Sequence, residues 1–313
     1  MNASQARPSR LLHRMAMVCV AVLAAATLSS CSAIGMGDAF IVASTNFSET
    51  RIIANMYQQV LAAHGVDARV KELTTREIIA PALQKGELQA TPEYLGSFTE
   101  YLNKKTNGPD APQVANGNTQ QTLQAGQALA APRQITLLTP SPAQDQNAFA
   151  VTADFAARTG IRSLSELATW SQTNKLILGG PPECPKRPFC LPGLEGTYGA
   201  KVAQFVPLDA GGPLTVQALN QGKITTGVIF SSSAAVSANN YLLLVDDKGL
   251  QTVENLTPAV YSPALTDEVR RQLDAVSAAL TTEDLRNLNS QVDEDRKNPR
   301  LVAEEFLKSK GLL

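Results

Sequence analysis

A chain of 313 residues is long enough for one large or two small domains. Its hydrophobic fraction of 44% and charged fraction of 18% are ordinary for a globular protein. A net charge of −1 excludes nucleic acid as the main partner, because neutralising phosphates takes a basic surface.

The N-terminus reads as an export signal. Arg7, Arg10 and Arg14 precede an apolar run from Met15 to Ala26. That run is too short for the ~20 residues a membrane-spanning helix needs, but a basic segment plus a short apolar one fits a cleaved leader. Leu28-Ser29-Ser30-Cys31 resembles a lipobox, in which Cys31 becomes the lipidated first residue. An ordinary signal peptide with a chance cysteine is the other reading. The expectation is a signal over residues 1–30, a tether over 31–38, and a lipid anchor on the extracytoplasmic face of the cell membrane.

The exported part alternates strands and helices. "AFIVAST" (Ala39 to Thr45) reads as a strand, after which Asn46 is placed to N-cap a helix with Glu49 three residues on, like a capping box. Ile52, Ile53, Met56, Val60 and Leu61 follow at helical spacing, and Gly65 ends the helix. His64, the only histidine outside the leader, sits at that helix end, where a cation is favoured by the dipole; a structural role is the plainer one. "DARVKEL", "REIIAPALQKG" and "ELQATPEY" then read as strand, helix and strand, a β-α-β-α-β run that implies a parallel sheet. Ligands sit beyond the carboxyl ends of such strands, where Thr45, Asn46 and Tyr94 fall. Tyr94 is expected at a chain reversal that turns on Gly96 and to face a ligand crevice, in a chain that is only 5% aromatic.

From Lys104 to Pro132 the chain reads as a loop and then a helix near Thr119 to Ala130. "NAFAVT", "LSELATWSQ" and "KLILGG" follow as strand, helix and strand. "PPECPKRPFCLPG" holds Cys184 and Cys190, and export into an oxidising compartment favours a disulfide between them. Metal binding is the rival, but two thiolates with no nearby histidine fall short of the four ligands structural zinc takes. "LPGLEGTYGAKVAQF" reads as loop and helix, "LTVQALNQG" as helix and "TTGVIF" as strand. Three amphipathic helices close the chain. No phosphate-binding glycine loop, nucleophile elbow or other catalytic constellation occurs, so no enzyme activity, metal or cofactor is expected.

"STNFSET", "PALQKGELQATPEYLG", "RPFCLPGLEGTYG", "VQALNQGKITTGVIFSS", "LLVDDKG" and "NLNSQVDEDRKNPRLVAEEFLKSKGL" come in the order seen in one family. Over residues 39–313 the chain resembles the substrate-binding proteins of osmoprotectant (glycine betaine, choline, proline betaine) ABC transporters. The resemblance implies an α/β fold of two periplasmic-binding-protein-like lobes joined by two crossover hinge strands. Residues 39–143 plus 235–313 would form the first lobe and 144–234 the second, with crossings near Ser141 to Phe149 and near Phe230 to Ala235. It also implies a small quaternary-ammonium ligand, an ABC permease as partner, and a monomer.

The family holds the trimethylammonium group in a box of tyrosines and the ligand's carboxylate with basic and hydroxyl groups. Such a cation has no N–H to donate, so ring faces attract it, and a guanidinium fork suits a carboxylate. Tyr94 matches the tyrosine of the family's "PEY-T-G-T" motif and Ser97 its second threonine. Arg187 matches the carboxylate-holding arginine, and Ser231 and Ser232 fall where the family often has Thr-Thr or Ser-Thr. Thr45 stands where many relatives have Lys before Asn46, Phe149 aligns with a family tyrosine, and Val216 replaces an aromatic. A box thinned in this way admits a receptor for another ligand, polyhydroxylated or aromatic, and an exported enzyme on a two-lobe scaffold is a more distant alternative.

Overall fold

The computed structural model describes residues 39–313 apart from 183 and 210. The leader, the tether and Cys31 lie outside the described residues.

Two five-stranded sheets carry the fold. The first lobe opens with β1 (Phe40–Ser44), α1 (Ser48–Ala63), β2 (Ala68–Glu72), α2 (Arg76–Gln84), β3 (Ala90–Tyr94), α3 (Leu95–Asn107), α4 (Thr119–Ala130) and β4 (Ile135–Leu137). The second holds β5 (Asn147–Thr152), α5 (Ala153–Thr159), α6 (Leu164–Trp170), β6 (Leu176–Gly180), α7 (Leu191–Tyr198), β7 (Val202–Pro207), α8 (Pro213–Asn220), β8 (Thr226–Phe230), α9 (Ala234–Ala238) and β9 (Tyr241–Leu243). The chain then returns to the first lobe with β10 (Leu256–Tyr261), α10 (Asp267–Ala279), α11 (Thr282–Asp293) and α12 (Pro299–Ser309). The strand orders are β2-β1-β3-β10-β4 and β7-β6-β8-β5-β9. As the β-α-β-α-β run implies, β1 is parallel to both β2 and β3. The returning β10 is antiparallel to β3 and β4.

The first lobe is organised around α1. Ile52, Ile53, Met56, Tyr57, Val60 and Leu61 are all buried and pack with Val269, Leu273, Leu285, Val302 and Leu307 of the C-terminal helices. Burying each such side chain contributes roughly 1.5–3 kcal/mol, far more than the roughly 1 kcal/mol of a missing cap. This matters because the expected cap is absent: Phe47, not Asn46, holds the N-cap position, and no side chain caps the helix. Thr50 Oγ1 donates to the Phe47 carbonyl instead, and Glu49 is turned inward. His64 ends the helix, its Nδ1 2.8 Å from the Val60 carbonyl.

A lobe boundary at residue 234 would cut through the second sheet. Tyr241, Leu242 and Leu243 pair with Thr152, Val151 and Ala150 of β5, so the chain cannot leave that lobe at Phe230 to Ala235. The return crossing lies later, where Asn255 bridges antiparallel to Gln144 of the outgoing one. The two crossings run side by side: Asp145 N donates to Glu254 O at 3.1 Å, and Asn255 Nδ2 donates to Ser141 O at 2.7 Å.

Cys184 and Cys190 form the expected disulfide, with Cα atoms 5.2 Å apart. Both are buried in the second lobe's core beside Leu194, so the loop between β6 and α7 is pinned to that core.

Candidate functional site

The expected chain reversal at Tyr94 does not occur. β3 passes directly into α3, and Gly96 lies in the first helical turn. Its role is close approach: a Cβ at Gly96 would stand 2.5 Å from the Val253 carbonyl, to which Gly96 N donates at 3.0 Å. The start of α3 is thereby pressed onto the return crossing. Ser97 completes the joint, donating from its N and Oγ to the Glu254 carboxyl at 3.0 and 2.6 Å. Burial pushes the Glu254 carboxyl above the usual range, with the Ser97 hydrogen bonds opposing the rise.

Tyr94 ends β3 with its ring half-buried against the α1 core. Its hydroxyl donates to Glu49 Oε1 at 2.8 Å, and Asn289 Nδ2 of α11 donates to Glu49 Oε2 at 2.8 Å. Glu49 is 0% exposed. Burial, reinforced by the nearby charge of Asp145, pushes its carboxyl up to about 7, against hydrogen bonds from Asn289, Tyr94 and Ser232. Asp145, in the outgoing crossing, is raised by burial as well, while Ser232 Oγ donates to its Oδ1 at 2.6 Å. Ser231 ties the same strands: its Oγ donates to Gln144 O at 3.0 Å and accepts from Gln146 N at 3.0 Å. The two serines bind the end of β8 to the outgoing crossing.

Several clefts open between the lobes among the described residues, one of them, of about 390 Å³, bordered by Gly117, Gln144, Phe149 and Ser231; two larger ones bear on the site. The first, of about 510 Å³, is lined by Phe47, Pro213, Val216, Phe230, Ser232 and Asn289, with Asp293 and Glu294 at the same cleft. The second, of about 490 Å³, is lined by Ser97, Glu100, Gln146, Asn147, Phe189 and Glu254. Both fall within the roughly 300–1,000 Å³ typical of small-molecule sites. Phe47 and Phe230, 44% and 37% exposed, give the first cleft aromatic surface from both lobes.

The residues expected at the site divide among these features. Tyr94 and Ser232 meet the buried acids, and Ser232 also lines the first cleft. Ser97 lines the second cleft, engaged by Glu254. Thr45 Oγ1 lies 2.7 Å from Thr50 Oγ1, and Asn46 is exposed at the end of β1. Arg187 is exposed on the disulfide loop, next to Pro188 of the second cleft. Phe149 is only 2% exposed and packs in the second lobe's core with Val151, Leu178 and Val228. Glu49, Asp145 and Asn289 were not legible as site residues. The spacing of Glu49 from Asn46 fitted a cap equally well, and only the fold brings Asn289 to it.

Comparison with known proteins agrees with this architecture. Residues 39–309 match the family described as the substrate-binding domain of ABC-type glycine betaine transport systems. The glycine betaine-binding protein YehZ of Escherichia coli (strain K12) is 29% identical over 274 residues, covering 84% of this chain and 88% of that protein. The solved structure of apo YehZ from Escherichia coli superposes with a TM-score of 0.76 at 27% identity, covering 88% of this chain and 100% of that one. The crystal structure of a glycine betaine/carnitine/choline ABC transporter chain superposes with a TM-score of 0.77 at 22% identity, covering 87% and 98%, a likeness of fold.

Proposed function

The chain belongs to the family of substrate-binding domains of ABC-type glycine betaine transport systems, and from that premise we propose that it captures a small quaternary-ammonium solute of the glycine betaine class outside the cytoplasm. It delivers that solute to an ABC permease and acts by binding rather than turnover. The Leu28-Ser29-Ser30-Cys31 segment supports a lipid anchor at Cys31, and the receptor works as a monomer.

The observation that carries the reading is Tyr94, half-buried at the carboxyl end of β3 with its hydroxyl fixed by Glu49. A fixed hydroxyl holds the ring in one orientation, so little entropy is lost when a cation meets its face. Phe47 and Phe230 add aromatic surface in the cleft whose wall residue Asn289 shares the Glu49 carboxyl with Tyr94. A thermal-shift screen of the exported protein against betaines, choline, carnitine, sugars and phenolics tests the assignment. Stabilisation by the quaternary-ammonium compounds alone supports it; stabilisation by sugars or phenolics alone replaces the ligand class.

A further inference from the structure

Resting on that reading, we propose that Glu49 and Asp145 form the counter-charge of the Phe47–Phe230 cleft, and that binding a net cation there releases a proton from the pair. The geometry is direct. Asn289 and Ser232 both line the cleft, and each donates a hydrogen bond to one of the two acids behind it, Asn289 to Glu49 and Ser232 to Asp145. The acids therefore lie one side chain behind the wall. Asn289 adds a second sign of an absent ligand: it is 5% exposed, and its Oδ1 accepts no hydrogen bond among the described residues.

The surrounding charges leave the pair uncompensated. None of the described residues lining the cleft is Lys, Arg or His, whereas Asp293 and Glu294 are acids. Arg286, one turn before Asn289 on α11, gives its Nη1 to Glu283 and its Nε to the Ser231 carbonyl. Arg76 is bound by both oxygens of Glu93, the neighbour of Tyr94. Asp293, one turn beyond Asn289, accepts from Ser48 Oγ at 2.6 Å. Burial raises both carboxyls, and the charge of Asp145 adds to the rise at Glu49, so the pair holds a proton more readily than two exposed acids would. A ligand cation favours the fully ionised pair, so the complex forms as the proton passes to water. The cleft then favours choline-like cations over zwitterions, since none of the described residues lining it brings a positive charge to a carboxylate.

Affinity for choline, measured by calorimetry from about pH 5.5 to about pH 8, tests this in full. Choline stays cationic and glycine betaine zwitterionic throughout, so ligand titration does not intrude. The dissociation constant for choline should fall as pH rises, by up to about tenfold per unit below pH 7, and then level off. Glu49→Gln should flatten the profile, and His64→Gln, at a position that does not line the cleft, should leave it unchanged. If Glu49→Gln does not fold, Asp145→Asn and wild-type titrations in two buffers of different ionisation enthalpy report the proton count. A pH-independent choline affinity, a slope that survives Glu49→Gln, or zero protons released overturns the proposal. Betaine binding without choline binding overturns it while the receptor reading stands. No binding of either overturns both.

Discussion

The Tyr94 hydroxyl donates a 2.8 Å hydrogen bond to Glu49 Oε1, joining the end of β3 to the start of α1 beneath the inter-lobe cleft. Removing only that hydroxyl, as in Tyr94→Phe, leaves a buried carboxyl oxygen without its donor. The expected cost is about 1–3 kcal/mol of stability, read as a lowered midpoint in chemical denaturation. Tyr94→Ala also removes the ring and should weaken a quaternary-ammonium ligand by about ten- to thirtyfold, or about 1–2 kcal/mol. Equal ligand affinity in wild type and Tyr94→Ala would take Tyr94 out of the site.

Glu49 gives stability a pH dependence of known sign. Its folded value of about 7 lies above its ordinary 4.5 because burial disfavours the charged form. The folded state therefore holds the proton more tightly, and the associated stability is complete below pH 4.5 and lost as pH rises to about 7. Glu49→Gln should remove most of that slope between pH 5 and 8, as urea denaturation would show; an unchanged slope would assign it to other groups.

Gly96 sets two effects against each other. Ala in a helix is intrinsically better than Gly by about 1 kcal/mol. The added Cβ, however, would stand 2.5 Å from the Val253 carbonyl, a backbone atom that moves only with the return crossing. Overpacking of that kind costs about 1–3 kcal/mol, so Gly96→Ala should lower the melting temperature despite its better propensity. A raised melting temperature would mean that the crossing yields easily.

The proposed lipid anchor rests on Cys31. Cys31→Ala should move it from the membrane fraction to the soluble exported fraction, which fractionation and immunoblotting would detect. Unchanged membrane association would contradict the lipid anchor.

Much of the fold was legible because local signals and tertiary packing agree. Asn147–Thr152 and Thr119–Ala130 fold as the strand and helix their patterns indicate. β10 was hidden, since Pro258 argues against an internal strand. In the structure Pro258 stands opposite Pro92, so the two residues that lack an N–H share one rung of the ladder. "LPGLEGTYGAKVAQF" reads as loop and helix, but Val202–Pro207 forms β7, whose half-buried or exposed side chains give the strand no apolar alternation to show in the sequence. The site was less legible than the fold. Tyr94 could be placed at a strand end, but the partners that define its surroundings come from Glu49, far earlier in the chain, and Asn289, far later. A buried acid cannot be told from a helix-capping one by spacing alone.

Calorimetric titration of the exported protein with glycine betaine, choline and proline betaine tests the central claim most directly. The account predicts saturable one-site binding of at least one of them, weakened by Tyr94→Ala and accompanied by a rise in melting temperature. No heat and no thermal shift from all three at millimolar concentration would contradict it.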